Sequence, residues 1–352
     1  MQLTLRQVRS KSPFSSSTLF LFSFEACILL GAATELDNLQ LATYYGKAAT
    51  DLKATINDLL WDNSTGAYID NPTSTLHPQD GNSLMVWLNV TLPERKSQIL
   101  ANLKENWVEF GAQSPEWIYN GAPGIGTFPG SMEVLAHLSA GATDDGLQLI
   151  NLTWGYMLNS PNSTASTFWE GFQSSGQFAF QGIYMSHAHG WSTGPASALS
   201  FYTLGLRPAG TTGNIAVDST NTTQPELRPG YEVAPQLGGL ASCQGSLALH
   251  GHGTGSVHVS WQLSPRAGKL FRLIVDSTEA PVGSIGRVGL PLAQLGFDSE
   301  EDAQITFEHG HTSAVGKLSS LPRGLSELKQ APQDGRKWYE FDATSKLVID
   351  VS

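Results

Sequence analysis

Two short stretches of this sequence carry side chains that could do chemistry. "STFWEGF", residues 166–172, sets the carboxylate of Glu170 directly after Phe168 and Trp169. "SHAHGWSTGP", residues 186–195, gathers His187, His189 and Trp191 among small and turn-forming residues. Neither has the spacing of a helix face or an alternating strand, so both read as loops bordering a pocket. A carboxylate between aromatic rings suits glycoside hydrolysis, where such a group acts as acid, base or nucleophile and the rings receive the C–H face of a sugar. The plainer reading of "FWE" is a loop glutamate beside a core tryptophan. Two histidines two apart on an extended segment point to one side and could grip a metal ion. A metal-dependent hydrolase needs further ligands, and only "HGH" (250–252) and "EHGHT" (308–312) offer them. The plainer reading is one buried and one exposed histidine.

The elements that must position these loops are helical up to about residue 206. Leu41, Tyr45, Ala48, Leu52, Ile56 and Leu59 recur every three or four residues and predict a buried stripe, which "WDNSTG" ends. "TLPE" (91–94) has capping-box spacing, and the stripe behind it predicts a helix through Ile99, Leu103, Trp107 and Phe110 up to Gly111. A shorter helix is expected over about 131–140. Thr143 can cap the next one, which runs through Leu147, Ile150, Trp154 and Met157, and a last helix follows "GWSTGP" from about Ala196 to Leu204. Helical hairpins joined by alternately short and elaborate loops suggest an α/α toroid with its site at one end. Past Arg207 a Gly-, Pro- and Thr-rich linker gives way to period-two runs: Val257, Val259, Trp261 and Leu263; Phe271, Leu273 and Val275; Leu347, Ile349 and Val351. These predict an antiparallel β-sandwich. The expected organisation is an atypical segment over 1–24, helices over 25–206 and the sandwich over 207–352.

Composition narrows the partner. The 352 residues carry a net charge of −11 with only 14% charged residues, which argues against nucleic acid or an anionic membrane and suits a neutral, hydroxyl-rich ligand. Two distant cysteines, Cys27 and Cys243, make neither a disulfide framework nor a zinc pattern, and no cofactor is implied. Asn-x-Ser/Thr sequons at Asn63, Asn89, Asn151, Asn162 and Asn221 lean towards secretion, yet the N-terminal apolar run is interrupted by Glu25 and makes a poor signal peptide.

Taken in order, "NLTWGYMLNSPNSTASTFWEGF" and "MSHAHGWSTGPASALSFYTLGLRP" resemble the α-L-rhamnosidases of glycoside hydrolase family 78, and "PGYEVAPQLGGLASCQGSLALHGHGTGSVHVSWQL" looks like the family's C-terminal β domain. The resemblance covers about residues 25–300. It implies a partial (α/α)6 toroid followed by an antiparallel β-sandwich, inverting hydrolysis of terminal α-L-rhamnose, and a rhamnose-containing glycoside or polysaccharide as partner. It also implies secretion of the parent protein. By position it makes Glu170 the general base, puts His187 and His189 at the rhamnose subsite, and makes Trp169 and Trp191 pocket walls. One departure stands out. The family's acid motif has no match here, since Glu94, Glu109 and Glu116 sit in helical or unrelated contexts. About seven helices are expected where a closed barrel needs twelve, so the chain reads as the C-terminal part of such an enzyme. Its activity is then expected to be weak and confined to aryl rhamnosides, and its unpartnered helix faces to make it poorly soluble. The competing reading is a non-catalytic carbohydrate-binding or interaction fragment.

Overall fold

The computed structural model describes residues 38–119, 121–178, 185–209, 214–217, 226–251, 253–264, 271–297, 303–310, 312–316, 324–328 and 336–352. The expected N-terminal segment, Cys27 and the sequon at Asn221 lie outside these residues, as do His252 and His311. The chain divides into two compact units, up to Ala196 and from Ser197. Among the described residues no helix is long and apolar enough to cross a membrane.

The first unit mixes helices with short hairpins. Helix α1 (Leu39–Leu59) opens with the Asn38 side chain accepting from Leu41 N at 3.1 Å. Of the stripe read from the sequence only Leu52 and Ile56 are buried, whereas Leu41 and Leu59 at its two ends are 44% and 40% exposed. The covered pair packs with Tyr68, with Leu84 and Met85 of α2 (Gln79–Trp87), and with Ile99 and Leu103 of α3 (Lys96–Lys104). Thr91 does not cap a helix. Its hydroxyl turns inward, 2.8 Å from Tyr68 OH, and a short 3-10 turn starts at Pro93 instead.

Helix α3 also ends earlier than its apolar stripe. Trp107 and Phe110 belong to a tight hairpin, Trp107–Val108 against Gly111–Ala112. Gly111 has φ 138°, and a side chain there would strike Thr153. Only glycine adopts that backbone without strain, so the spacing of three and four was fortuitous. After it come strands β1 (Ser114–Tyr119) and β2 (Ala122–Gly126), joined later by β3 (Gly171–Gln173). Helix α4 (Thr127–Ser139) starts directly after β2 and stops before Gly141, at φ 82°. A helical rod follows from Thr143 to Asn159, with one π-helical turn at 151–155; Asp144 and Asp145 favour its start through the helix dipole. Short hairpins thus stand between the helices where the sequence reading expected helices alone.

The second unit is a sandwich of two six-stranded sheets. Val257, Val259 and Trp261, then Phe271, Leu273 and Val275, then Leu347, Ile349 and Val351 face Tyr231, Val233, Val288, Leu290, Tyr339 and Phe341 in one core. The alternation read from the sequence is therefore the inner face of one sheet. One pairing departs from the antiparallel expectation: Glu226–Val233 runs parallel to Ile285–Leu290. A parallel pair needs a long crossover, and the three strands between Ser242 and Glu279 of the opposite sheet supply it. The C-terminal strand, Lys346–Val351, lies between Phe271–Glu279 and Ile305–His309.

Candidate active site

Glu170 is held by its own backbone and by its side chain. Its N–H donates to Ser186 O at 2.9 Å, and Ser186 N–H donates back to Glu170 Oε2 at 3.2 Å. This double hook ties the two sequence motifs together, and His189 N–H adds a bond to Phe168 O at 2.9 Å. Beneath them Thr127 Oγ1, the first side chain of α4, lies 2.9 Å from the carbonyl oxygens of both Trp169 and Glu170 and 2.6 Å from Ser192 Oγ. The indole N–H of Trp154 donates to Ser192 O. Buried hydroxyls on carbonyls fix a loop because leaving those carbonyls unsatisfied costs about 1–3 kcal/mol. Thr127→Val should destabilise the fold by about that amount, read as a lower denaturant midpoint with unchanged slope. An unchanged midpoint would show that Ser192 alone pins the loop.

Glu170 lines a cavity of about 330 Å³ with Asp80, Glu116, Trp117, Gly126, Phe128, Pro129 and Trp191. That volume is at the small end of ligand sites, the scale of one sugar ring. Phe128 and Trp191 are stacked, centroids 5.3 Å apart and 19° from parallel, and each is 43% exposed. The Trp117 ring is admitted by glycines: a Cβ on Gly171 would fall 2.5 Å from it, and one on Gly126 2.9 Å.

The sequence-derived residues part company here. Glu170 and Trp191 line the cavity. His189 stacks at 4.1 Å on Trp191, with its Nδ1 3.8 Å from Glu170 Oε2. His187 instead stacks on Phe178 at 4.1 Å and is not among the cavity-lining residues. Trp169 is fully buried against Phe172, Phe178 and Tyr156. It forms the core behind the loop and not a wall of the cavity. The two histidines thus do not share one side, and among the described residues no three potential ligands come together for a metal.

Asp80 and Glu116 are the residues the sequence reading missed. Glu116, on β1, accepts from Gln79 N–H at 2.9 Å and Asp80 N–H at 3.1 Å, so it caps α2 from a neighbouring strand. A buried network holds both elements: Gln79 donates to Glu133 at 2.6 Å and accepts from Ser114 at 2.5 Å, while Trp107 Nε1 donates to Glu133 at 2.5 Å. Burial, with the negative charge of Asp80 added, pushes the Glu116 carboxyl from its ordinary 4.5 up to about 7, against the opposing pull of three backbone amides, those of Gln79, Asp80 and Glu116 itself. The available signal was "SPEW": like "FWE", it sets a carboxylate beside a tryptophan.

A raised carboxyl has a consequence for stability. Between about pH 4.5 and 7 the folded protein holds the Glu116 proton that the unfolded chain has lost, so stability falls as pH rises through that window and levels off above it. The shift corresponds to about 3 kcal/mol at most. Denaturant unfolding from pH 4 to 8 should show a steeper decline for the wild-type protein than for Glu116→Gln. Parallel curves would mean that Glu116 ionises normally.

Compared with known structures, the chain is similar in fold to the α-L-rhamnosidase from Dictyoglumus thermophilum, with TM-score 0.64 and 16% identity over 96% of this chain and 32% of that one. It is similar to the Streptomyces avermitilis α-L-rhamnosidase complexed with L-rhamnose, with TM-score 0.61 and 16% identity over 95% and 26% of the two chains. It is similar also to the GH78 family rhamnosidase of Bacillus sp. GL1, with TM-score 0.52 and 22% identity over 72% and 24%. At such identities the likeness is one of fold, and the chain spans a third or less of the length of these proteins. No protein-family model matches the sequence. No curated protein matches it either.

Proposed function

We propose that this chain carries part of the active site of a glycoside hydrolase that releases terminal α-L-rhamnose with inversion, Glu170 acting as general base. The observation that carries the reading is the double hook on Glu170, which holds a carboxylate in a sugar-sized cavity beside a stacked aromatic pair. An inverting base must keep a water aligned on the anomeric carbon, and a carboxylate fixed on a pinned loop does so. The Phe128–Trp191 platform takes the apolar face of the ring, and His189 bonds a hydroxyl beside the base. His187, outside the cavity, supports the loop through Phe178. The helices of the first unit would belong to an (α/α)6 toroid, and the second unit would be its C-terminal sandwich. The shared fold with α-L-rhamnosidases, one of them complexed with L-rhamnose, favours rhamnose over other sugars.

The test is the hydrolysis of an aryl α-L-rhamnoside followed by proton NMR. Under this reading the first product is β-L-rhamnose, before mutarotation. Initial release of the α anomer would exclude inversion. Rhamnose binding without any hydrolysis would leave a carbohydrate-binding module in place of an enzyme.

A further inference from the structure

We propose that Trp117 sets the specificity of the cavity that Glu170 lines: its indole is the wall that receives the C6 methyl group of a 6-deoxy sugar and turns away the hydroxymethyl group of an ordinary hexose. This rests on the hydrolase reading above and deepens it, by assigning a residue to the substituent that sets rhamnose apart.

The indole is seated on the sheet beside Glu170. Gly126 on β2 and Gly171 on β3 are partners across the two strands, and Gly171 directly follows Glu170. The benzo ring of Trp117, from β1, takes the space that their side chains would fill. A Cβ on Gly171 would stand 2.5 Å from Cη2 and 2.7 Å from Cζ3, and one on Gly126 would stand 2.9 Å from Cε3 and Cζ3. Carbons in contact are about 3.5–4.0 Å apart, so a side chain at either glycine would displace the ring. Glycine inside a strand marks a close approach of this kind. The ring is therefore held by backbone, next to the proposed base. The cavity lining divides by chemistry. Asp80, Glu116 and Glu170 present carboxyl oxygens that suit hydroxyls, while Trp117 stands with the Phe128–Trp191 pair on the apolar side. That pair is 43% exposed at each ring and takes the face of the sugar; Trp117 is half-buried. Rhamnose carries hydroxyls at C2, C3 and C4 and one apolar substituent, the C6 methyl. A hydroxyl set against an aromatic face gives up its bonds to water and gains none, whereas a methyl gives up nothing. The methyl is thus the group that the Trp117 wall accepts, with the hydroxyls turned towards the carboxyls.

The experiment compares kcat/KM of the full chain on the 4-nitrophenyl glycosides of α-L-rhamnose, α-L-mannose and α-L-lyxose. The three share a leaving group and differ only in what C5 carries: methyl, hydroxymethyl or hydrogen. Wild type should favour the rhamnoside by about 10–200-fold over the lyxoside and by about 10²-fold over the mannoside, the range an apolar wall supplies. In Trp117→Ala both ratios should shrink towards one, because the rhamnoside loses most. Trp117→Phe, with a smaller ring in the same seat, should fall between wild type and Trp117→Ala. A general loosening of the fold would lower all three rates together and leave the ratios alone. Ratios unmoved in either variant would overturn the role of Trp117 while leaving the hydrolase reading intact, and so would a wild type that hydrolyses all three sugars equally. Failure of wild type to hydrolyse even the rhamnoside would instead overturn that reading, and the role of Trp117 with it.

Discussion

Glu170→Gln should lose about 10²–10⁴-fold or more in kcat on an aryl α-L-rhamnoside, with affinity for free L-rhamnose little changed. The substitution keeps the shape of the side chain and an oxygen to accept from Ser186 N–H, so the hook at Oε2 survives. It removes the capacity to take a proton from water. Under the proposed function binding depends instead on the stacked Phe128–Trp191 pair and on hydroxyl contacts, which the variant leaves alone. Steady-state kinetics and calorimetric titration with rhamnose separate the two. Retained kcat would remove Glu170 from the chemistry, and lost affinity with retained kcat would make it a binding residue.

Trp169→Ala should destabilise the protein by about 3–5 kcal/mol, the range for deleting a large buried aromatic. Trp169 is fully buried, its ring centroid 4.1 Å from Phe178 and 5.6 Å from Phe172, and its backbone N–H donates to Met157 Sδ at 3.3 Å. Its indole N–H has no partner among the described residues, so Trp169→Phe removes a buried polar group along with some volume and should cost far less. Trp191→Ala makes the contrast: half-exposed and stacked on Phe128, it should cost rhamnose affinity and little stability. Thermal unfolding beside sugar titration tests all three. A stable Trp169→Ala with weakened rhamnose binding would return Trp169 to the cavity wall.

The two tryptophans show where sequence stops being informative. Both stand beside a candidate site residue in a loop, and nothing in "FWE" or "HGW" says which ring turns inward, because no period governs a loop. In the second unit the period-two runs around Trp261, Leu273 and Ile349 named the core face residue by residue, since one slip would turn every side chain outward. The parallel pairing of Glu226–Val233 with Ile285–Leu290 was hidden, because partners so far apart leave no local pattern. In the helical part, Leu52 and Ile56 were legible while Trp107 was misread: two-residue strands are too short to show alternation. Sequons at Asn63, Asn89, Asn151 and Asn162 all fall on exposed residues. Asp80 and Glu116 were missed for a different reason. Their meaning comes from sharing a cavity with Glu170, a fact of tertiary folding that spacing along the chain does not encode.

The placement of Lys346–Val351 between two other strands bears on how the protein is made. Ribosomes deliver the chain from the N-terminus, and domains tend to fold as they emerge. The strand that joins Phe271–Glu279 to Ile305–His309 is delivered after both of them. Until then the nascent sheet is in two pieces, each with an open edge able to pair with another chain. The first unit, with its short-range hairpins, can form while this is pending. The sandwich cannot close until Lys346–Val351 has emerged, and pairing across such long separations is slow. The interval before that strand has emerged is therefore when this unit is most exposed to aggregation, and co-expressed holding chaperones should raise the yield of the sandwich more than that of the first unit.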